Sequence, residues 1–147
     1  MLKGPLLHPQ ILSVLGRAGH GSCVLIADGN YPCRTRLGPN AELVSLNLAP
    51  GVLPVTDVLA VLLKAIPVER AAVMRPARSG PYALKTDPPI FHDFKKILQA
   101  HGQNVTLTKL ERFAFYTAAS TPDVCLSIAT GEQRIYANLL LTIGVVR

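Results

Sequence analysis

Charge is scarce in this chain. Only 16% of its 147 residues are Asp, Glu, Lys or Arg, while 49% are apolar. Long hydrophobic runs are missing as well, because no stretch reaches the roughly 18 to 20 uninterrupted apolar residues that a spanning helix needs. The opening Met1-Leu2-Lys3-Gly4-Pro5, with Pro9 close behind, lacks the long apolar segment of a signal peptide. The expectation is a cytoplasmic protein that has no membrane partner and buries its surplus apolar surface in a homo-oligomer. Cysteine is sparse too: Cys23, Cys33 and Cys125 form an odd, widely spaced set without a C-x-x-C pair. That argues against a zinc knuckle or a thioredoxin-type site and reads as reduced thiols. A His20/Cys23/Cys33 metal site matches no standard ligand spacing. The net charge of +6 also lacks concentration, since Arg34/Arg36, Arg75/Arg78 and Lys95/Lys96 are its only weak clusters. Without an aromatic platform beside them, a nucleic-acid partner is not expected.

What is present is an alternation of helical and strand patterns over one domain, 1–147, long enough to bury a core of its own. Pro9 opens a helix to Ala18, with Ile11, Leu12, Leu15 and Ala18 on one face and Gly19 as its left-handed terminator. Cys23 to Ala27 is a short continuous apolar run, as expected of a strand covered on both faces. Glu42 to Leu48 alternates like a strand, and Val55 to Ile66 reads as a buried helix stopped by Pro67. Ala71 to Met74 reads as a short strand. Arg75 to Pro89, rich in proline, is a surface loop. Ile90 to Ala100 is helical, with Gly102 ending it. Val105 to Leu110 is a strand and Arg112 to Ala119 a short helix. Val124 to Thr130 and Ala137 to Leu141 are closing strands joined by a Gly131-Glu132 turn. The pattern predicts an α/β fold: three layers, α/β/α, around a central mixed or mainly parallel sheet.

Two features carry chemistry. His20, between Gly19 and Gly21, and Asp28, after the apolar run, are expected at one rim of the sheet, where α/β proteins bind small polar ligands. Each has a plainer reading. A histidine at a helix end is usually a cap or a surface residue, and Asp28 reads equally as the cap of the Gly29-Asn30 turn.

A longer set of motifs stands in order along the chain: Met1-Leu2-Lys3-Gly4, Gly19-His20-Gly21, Ala27-Asp28 with Asn30 and Pro32, Glu111-Arg112-Phe113-Ala114-Phe115-Tyr116, Thr130-Gly131-Glu132 and Tyr136-Ala137-Asn138. In this order they resemble the ribose pyranase and fucose mutarotase family (RbsD/FucU) nearly end to end, and the Arg-Phe-Ala-Phe-Tyr segment resembles the fucose branch. The resemblance implies subunits assembled into rings, pentameric and often paired as decamers, with sites at subunit interfaces. It implies a cofactor-free activity on a monosaccharide partner, the interconversion of its cyclic forms. Carried over, His20 matches the acid/base histidine and Asp28 the sugar-binding aspartate. Arg112 matches the arginine of the fucose branch, and Tyr136, Ala137 and Asn138 the C-terminal contacts, with Tyr116 a weaker hydroxyl donor. Gly29, Tyr31 and Ala137 depart from the fucose pattern, Ala137 being the ribose branch's choice. The segment Arg75 to Pro89 has little in common with relatives.

These residue types suit the reaction. Opening a hemiacetal takes a proton from the anomeric hydroxyl and gives one to the ring oxygen, and closing reverses both steps. A histidine titrates near neutrality and can carry that proton. Arginine gives fixed donors to hydroxyls, and asparagine both donates and accepts. Arg112 reads equally as a surface arginine or as a partner of Glu111 or Glu132 of a neighbour, and Tyr116 and Tyr136 as core or interface aromatics.

Overall fold

The strand-like runs assemble into one six-stranded sheet. The computed structural model describes residues 2–146, so Met1 of the opening motif lies outside the described residues. In chain order the elements are α1 (Pro9–Arg17), β1 (Cys23–Ala27), β2 (Glu42–Ser45), α2 (Val55–Leu62), β3 (Val68–Met74), α3 (Pro89–Ala100), β4 (Leu107–Leu110), α4 (Arg112–Ala118), β5 (Val124–Ala129) and β6 (Leu139–Ile143). The strand order is β2-β5-β1-β6-β3-β4. β6 runs antiparallel to both of its neighbours, β1 and β3, and every other pairing is parallel.

Helices cover both faces. α1, α2 and α3 pack on one through Ile11, Val14, Leu59, Leu62, Phe91 and Phe94, against Val24, Ile26, Val73 and Leu141 of the strands. On the other, α4 sets Phe115 and Tyr116 against Leu25, Ala27 and Leu140. Val24 and Ile26 point to one side and Leu25 and Ala27 to the other, all fully buried. The continuous apolar reading of this segment follows from that two-sided cover. Among the described residues no helix is long and apolar enough to cross a membrane.

Several boundaries differ from expectation for local reasons. α1 begins on Pro9 and the His8 ring caps it, Nδ1 accepting the Ile11 N–H at 3.3 Å. Gly19 is not the left-handed residue; Ala18 closes the helix in an extended conformation, and Gly21 takes the positive φ of 85°. Its N–H donates to the Ile143 carbonyl at 2.9 Å, which ties the turn before β1 to the end of β6. α2 stops at Leu62 rather than Ile66, as its last turn tightens into short-range bonds such as Ala65 N–H to Leu62 O at 2.8 Å on the approach to Pro67. β2 ends at Ser45; Leu46 N–H still donates to Ala129 O at 2.8 Å, and beyond it the chain leaves β5 for an isolated Ala49–Val52 bridge. The two closing strands are not neighbours. β5 and β6 flank β1 on opposite sides, and the Gly131-Glu132 connection crosses over the end of β1, where Thr130 bonds the Ala27 carbonyl and Gly29 N–H donates to Glu132 O at 2.9 Å.

Candidate active site

The C-terminal ends of β1, β3 and β4 and the N-terminal end of β6 converge on one rim. Open α/β sheets place ligands there. A cavity of about 740 Å³ occupies it, with Asp28, Tyr31, Met74 and Asn138 as floor, Glu111, Arg112 and Tyr116 on one side, and residues of the 75–88 segment with Tyr136 on the other.

The floor is built by strand register. β1 and β6 pair Ile26 with Leu139; one step outward Asn138 comes level with Ala27, and Asp28, the residue after Ala27, bonds it although 110 positions separate the two. Asp28 N–H donates to Asn138 Oδ1 at 2.9 Å, and Asn138 Nδ2 donates back to Asp28 Oδ2 at 3.0 Å. This reciprocity fixes which way the amide faces. Asn30 N–H donates to Asp28 Oδ1 at 3.0 Å, so the turn-capping role holds as well. Both side chains are buried, at 4% exposure each. Burial pushes the Asp28 carboxyl up from the ordinary aspartate value, and bonds from the backbone of Asn30, Ala137 and Tyr31 and from Asn138 restrain the rise. A buried carboxyl on a cavity floor, shifted by its surroundings, is a candidate for binding or proton exchange. Ala137 is fully buried and absent from the lining.

The wall beside the floor starts with a cap. Glu111 accepts the Phe113 and Ala114 N–H groups at 2.8 and 3.4 Å, which starts α4 there and puts Arg112 at its first position. Arg112 Nε donates to the Tyr116 hydroxyl at 3.3 Å, with its guanidinium 5.6 Å from the Tyr116 ring centroid and 5.9 Å from that of Phe113. Tyr116 is itself held edge-on to Tyr31, centroids 5.5 Å apart. The cation therefore lies on an aromatic shelf and bonds neither Glu111 nor Glu132 of its own chain. Glu132 belongs to Arg134, which donates to it at 2.7 and 3.0 Å and reaches Asp93 at 3.0 Å.

Tyr136 behaves differently from expectation. It has a positive φ of 62°. Its hydroxyl accepts the Ala77 N–H at 3.0 Å and donates to the Tyr82 carbonyl at 2.8 Å. Its one O–H is thereby committed to the 75–88 segment, and Tyr136 holds that segment as a strap over the cavity.

His20 is the main correction. It precedes β1 and Asp28 follows it, so the two stand at opposite ends of the strand, roughly 16 Å or more apart for a five-residue strand. They do not share a rim within one chain. His20 is exposed, with Nε2 2.9 Å from Glu69 Oε2. Cys33, buried against Tyr31 and Ala27, belongs to the other end of the sheet, so His20, Cys23 and Cys33 do not assemble. The structure brings together Asp28, Asn138, Arg112, Tyr116 and Tyr136, and adds Glu111, quoted in the motif without a site role, and Arg75, Arg78 and Tyr82, which sequence reasoning had left as loop and surface. The signal for the arginines was present as two cations in a proline-rich segment; nothing local showed that this segment folds back over the rim.

Comparison with known proteins follows the same line. The RbsD / FucU transport protein family matches residues 1–146. Fucose mutarotase of Homo sapiens is 34% identical over 154 residues, covering 98% of this chain and 94% of that protein. Fucose mutarotase of Danio rerio is also 34% identical, over 99% of this chain and 95% of its own. The crystal structure of FucU from Bifidobacterium longum superposes with a TM-score of 0.79 at 32% identity, covering 95% of each chain. This chain therefore belongs to the RbsD / FucU family.

Proposed function

We propose that this chain is a cytoplasmic, cofactor-independent monosaccharide mutarotase, an isomerase of one domain over 1–147 whose substrate is L-fucose or a related sugar. The observation that carries the reading is the buried, reciprocally bonded Asp28–Asn138 pair flooring a cavity under Arg112, in a chain a third identical to fucose mutarotases along its length. Asp28 and Asn138 hold sugar hydroxyls from below, and Arg112 donates to them from its shelf on Tyr116. Tyr136 contributes its ring face and the strap that it latches, and Ala137 its backbone. His20 is the acid/base group: it takes the anomeric proton as the ring opens, protonates the ring oxygen, and reverses both roles on closure. Because His20 lies at the far end of β1 from the pocket, it serves the pocket of an adjacent subunit. The subunits assemble into rings, paired as a decamer, with sites at their interfaces. Exposed Leu48, Val52, Leu53, Phe113 and Ile135 supply apolar surface for such contacts.

A second reading within the class is ribose pyranase activity, favoured by Ala137, the ribose branch's choice at that position. Magnetisation-transfer NMR of L-fucose, D-ribose and D-galactose, with and without protein, ranks the sugars by exchange rate. Faster exchange of L-fucose that disappears in His20→Ala is the expected result. No acceleration of any sugar leaves only a monosaccharide-binding protein and ends the enzyme reading, and acceleration that survives His20→Ala removes His20 from the mechanism.

A further inference from the structure

Charge is scarce in this chain, yet three arginines, Arg75, Arg78 and Arg112, line the cavity at the sheet rim. The proposed reaction uses only Arg112. A guanidinium carries five N–H donors and a permanent charge. Arg112 gives one donor to the Tyr116 hydroxyl. Among the described residues the side chains of Arg75 and Arg78 donate to no protein group, and none of the three arginines pairs with a carboxylate. The acids around them are already bound. Asp28 is held by Asn30 and Asn138, and Glu111 caps α4 through the Phe113 N–H at 2.8 Å. Asp87 holds Lys109 at 2.6 Å, while Glu132 and Asp93 hold Arg134. The lining therefore sets three cations against two acids, with donors of the cations left open. Arg36, outside the lining, adds positive charge 5.0 Å from the Tyr116 ring centroid.

Exposed arginines are ordinarily solvated surface. Here the backbone that carries them is fixed. Arg75 N–H donates to Leu110 O at 2.7 Å, where the β3–β4 ladder ends, and Pro76 is buried. Ala77 is held on both sides: its N–H donates to the Tyr136 hydroxyl at 3.0 Å, and its carbonyl accepts the Leu84 N–H at 3.2 Å. Arg75 and Arg78 thus flank an anchored pair of residues on the strap, with Arg112 on the opposite wall. A cleft lined by an excess of one charge draws ligands of the other. The cavity, at about 740 Å³, lies well into the range of roughly 300–1,000 Å³ for small-molecule sites. It has room for a sugar with a further substituent.

We propose that the preferred substrate is a monosaccharide bearing an anionic group, a carboxylate or a phosphate, away from its anomeric carbon, and that Arg75 and Arg78 hold that group from the strap. The proposal rests on the reading of the cavity as a sugar site and deepens it. Asp28, Asn138 and Arg112 hold the hydroxyls, and the two strap arginines donate to the paired oxygens of the anion. The anionic group takes no part in the hemiacetal, so the ring opens and closes as in a neutral sugar.

The test is magnetisation-transfer NMR of anomer exchange in D-galacturonate and D-galactose 6-phosphate against D-galactose, with L-fucose alongside to report on the parent reading. At least one anionic sugar is expected to show a kcat/KM about tenfold above that of D-galactose, and the advantage should shrink at high salt. Which of the two gains tells carboxylate from phosphate. Arg75→Gln and Arg78→Gln are each expected to cut the advantage about three- to tenfold. Arg78→Lys keeps the charge and is expected to retain part of it. The wild-type comparison and its salt dependence carry the test if a variant does not fold. Acceleration of L-fucose or D-galactose with no gain from either anionic group overturns the proposal and leaves the mutarotase reading standing. So does an advantage that both glutamine variants keep in full. Acceleration of no sugar ends the mutarotase reading instead. Calorimetric titration of the two anionic sugars then decides the anion site by itself: binding that the double glutamine variant loses supports it, and no binding overturns it.

Discussion

Tyr136→Phe removes one oxygen and keeps the ring, so it isolates the latch on the 75–88 strap. The oxygen makes two bonds, to Ala77 N–H and Tyr82 O. An intramolecular hydrogen bond contributes about 0.5–1.5 kcal/mol net. These two lie at the surface, where freed groups rehydrate, so about 1–2 kcal/mol together is the expected cost. The strap has few other anchors: Arg75 N–H to Leu110 O at 2.7 Å, Leu84 N–H to Ala77 O at 3.2 Å, and the Lys109–Asp87 ion pair at 2.6 Å. Ala77 and Tyr82 are exposed. Such a segment opens locally without global unfolding, so the lost bonds should appear as local opening. Hydrogen exchange of the Ala77 amide should accelerate by about 5- to 30-fold, at roughly tenfold per 1.4 kcal/mol. Core amides such as Leu25 should not change. In sugar exchange the variant should show a raised KM with kcat largely kept, since the strap walls the cavity and carries no proton in the proposed mechanism. Unchanged exchange at Ala77, with the Tyr136 ring still in place, would refute the latch.

Asn138→Ala strips Asp28 of a donor and an acceptor in a buried place; a loss of about 1–3 kcal/mol in denaturant unfolding is expected, together with weakened sugar binding by titration calorimetry. Tyr31 and Ser127 each bury a hydroxyl that finds no partner among the described residues; Tyr31→Phe and Ser127→Ala should be neutral or stabilising in thermal melts, and a drop of several degrees would show an overlooked partner. Glu132 gives a pH dependence. Burial alone would raise its carboxyl, but the bonds from Arg134 and from the Val55 amide hold it below the ordinary value of 4.5. A depressed acid contributes stability that is complete above its unfolded value and disappears as pH falls through its folded value. Arg134→Ala should therefore cost about 1–2 kcal/mol at pH 7, discounted for the exposure of the arginine. The gap from wild type should close below about pH 4.5, and urea unfolding at several pH values measures it; a gap independent of pH contradicts the pairing.

Much of the fold could be read from local pattern. Pro9, the Cys23–Ala27 run, the 75–88 loop and the Gly102 stop each act through their own backbone and neighbours. The errors have one physical origin, dependence on distant chain. Gly19 lost the left-handed position to Gly21 because β6, over a hundred residues later, binds the turn at Gly21. β5 and β6 looked like a hairpin because nothing near Gly131 reports that β1 lies between them. Of the site, Asp28, Arg112 and Asn138 were legible through motif order. Their meeting was not, since it depends on the β1–β6 register. The shared rim assumed for His20 and Asp28 overlooked that a strand has two ends.

That separation along β1 also governs counting. Under the proposed mechanism, a chain with its histidine at one end of β1 and the pocket at the other resembles a piece with a plug and a socket. An open row of such pieces has one complete site fewer than it has members, and only closure of the row gives every member a site. Two defective proteins can then repair each other: a His20→Ala chain still offers its socket, and an Asp28→Asn chain its plug. Mixed after gentle dissociation and reassembly, they should regain activity that neither has alone, at those junctions where intact ends meet.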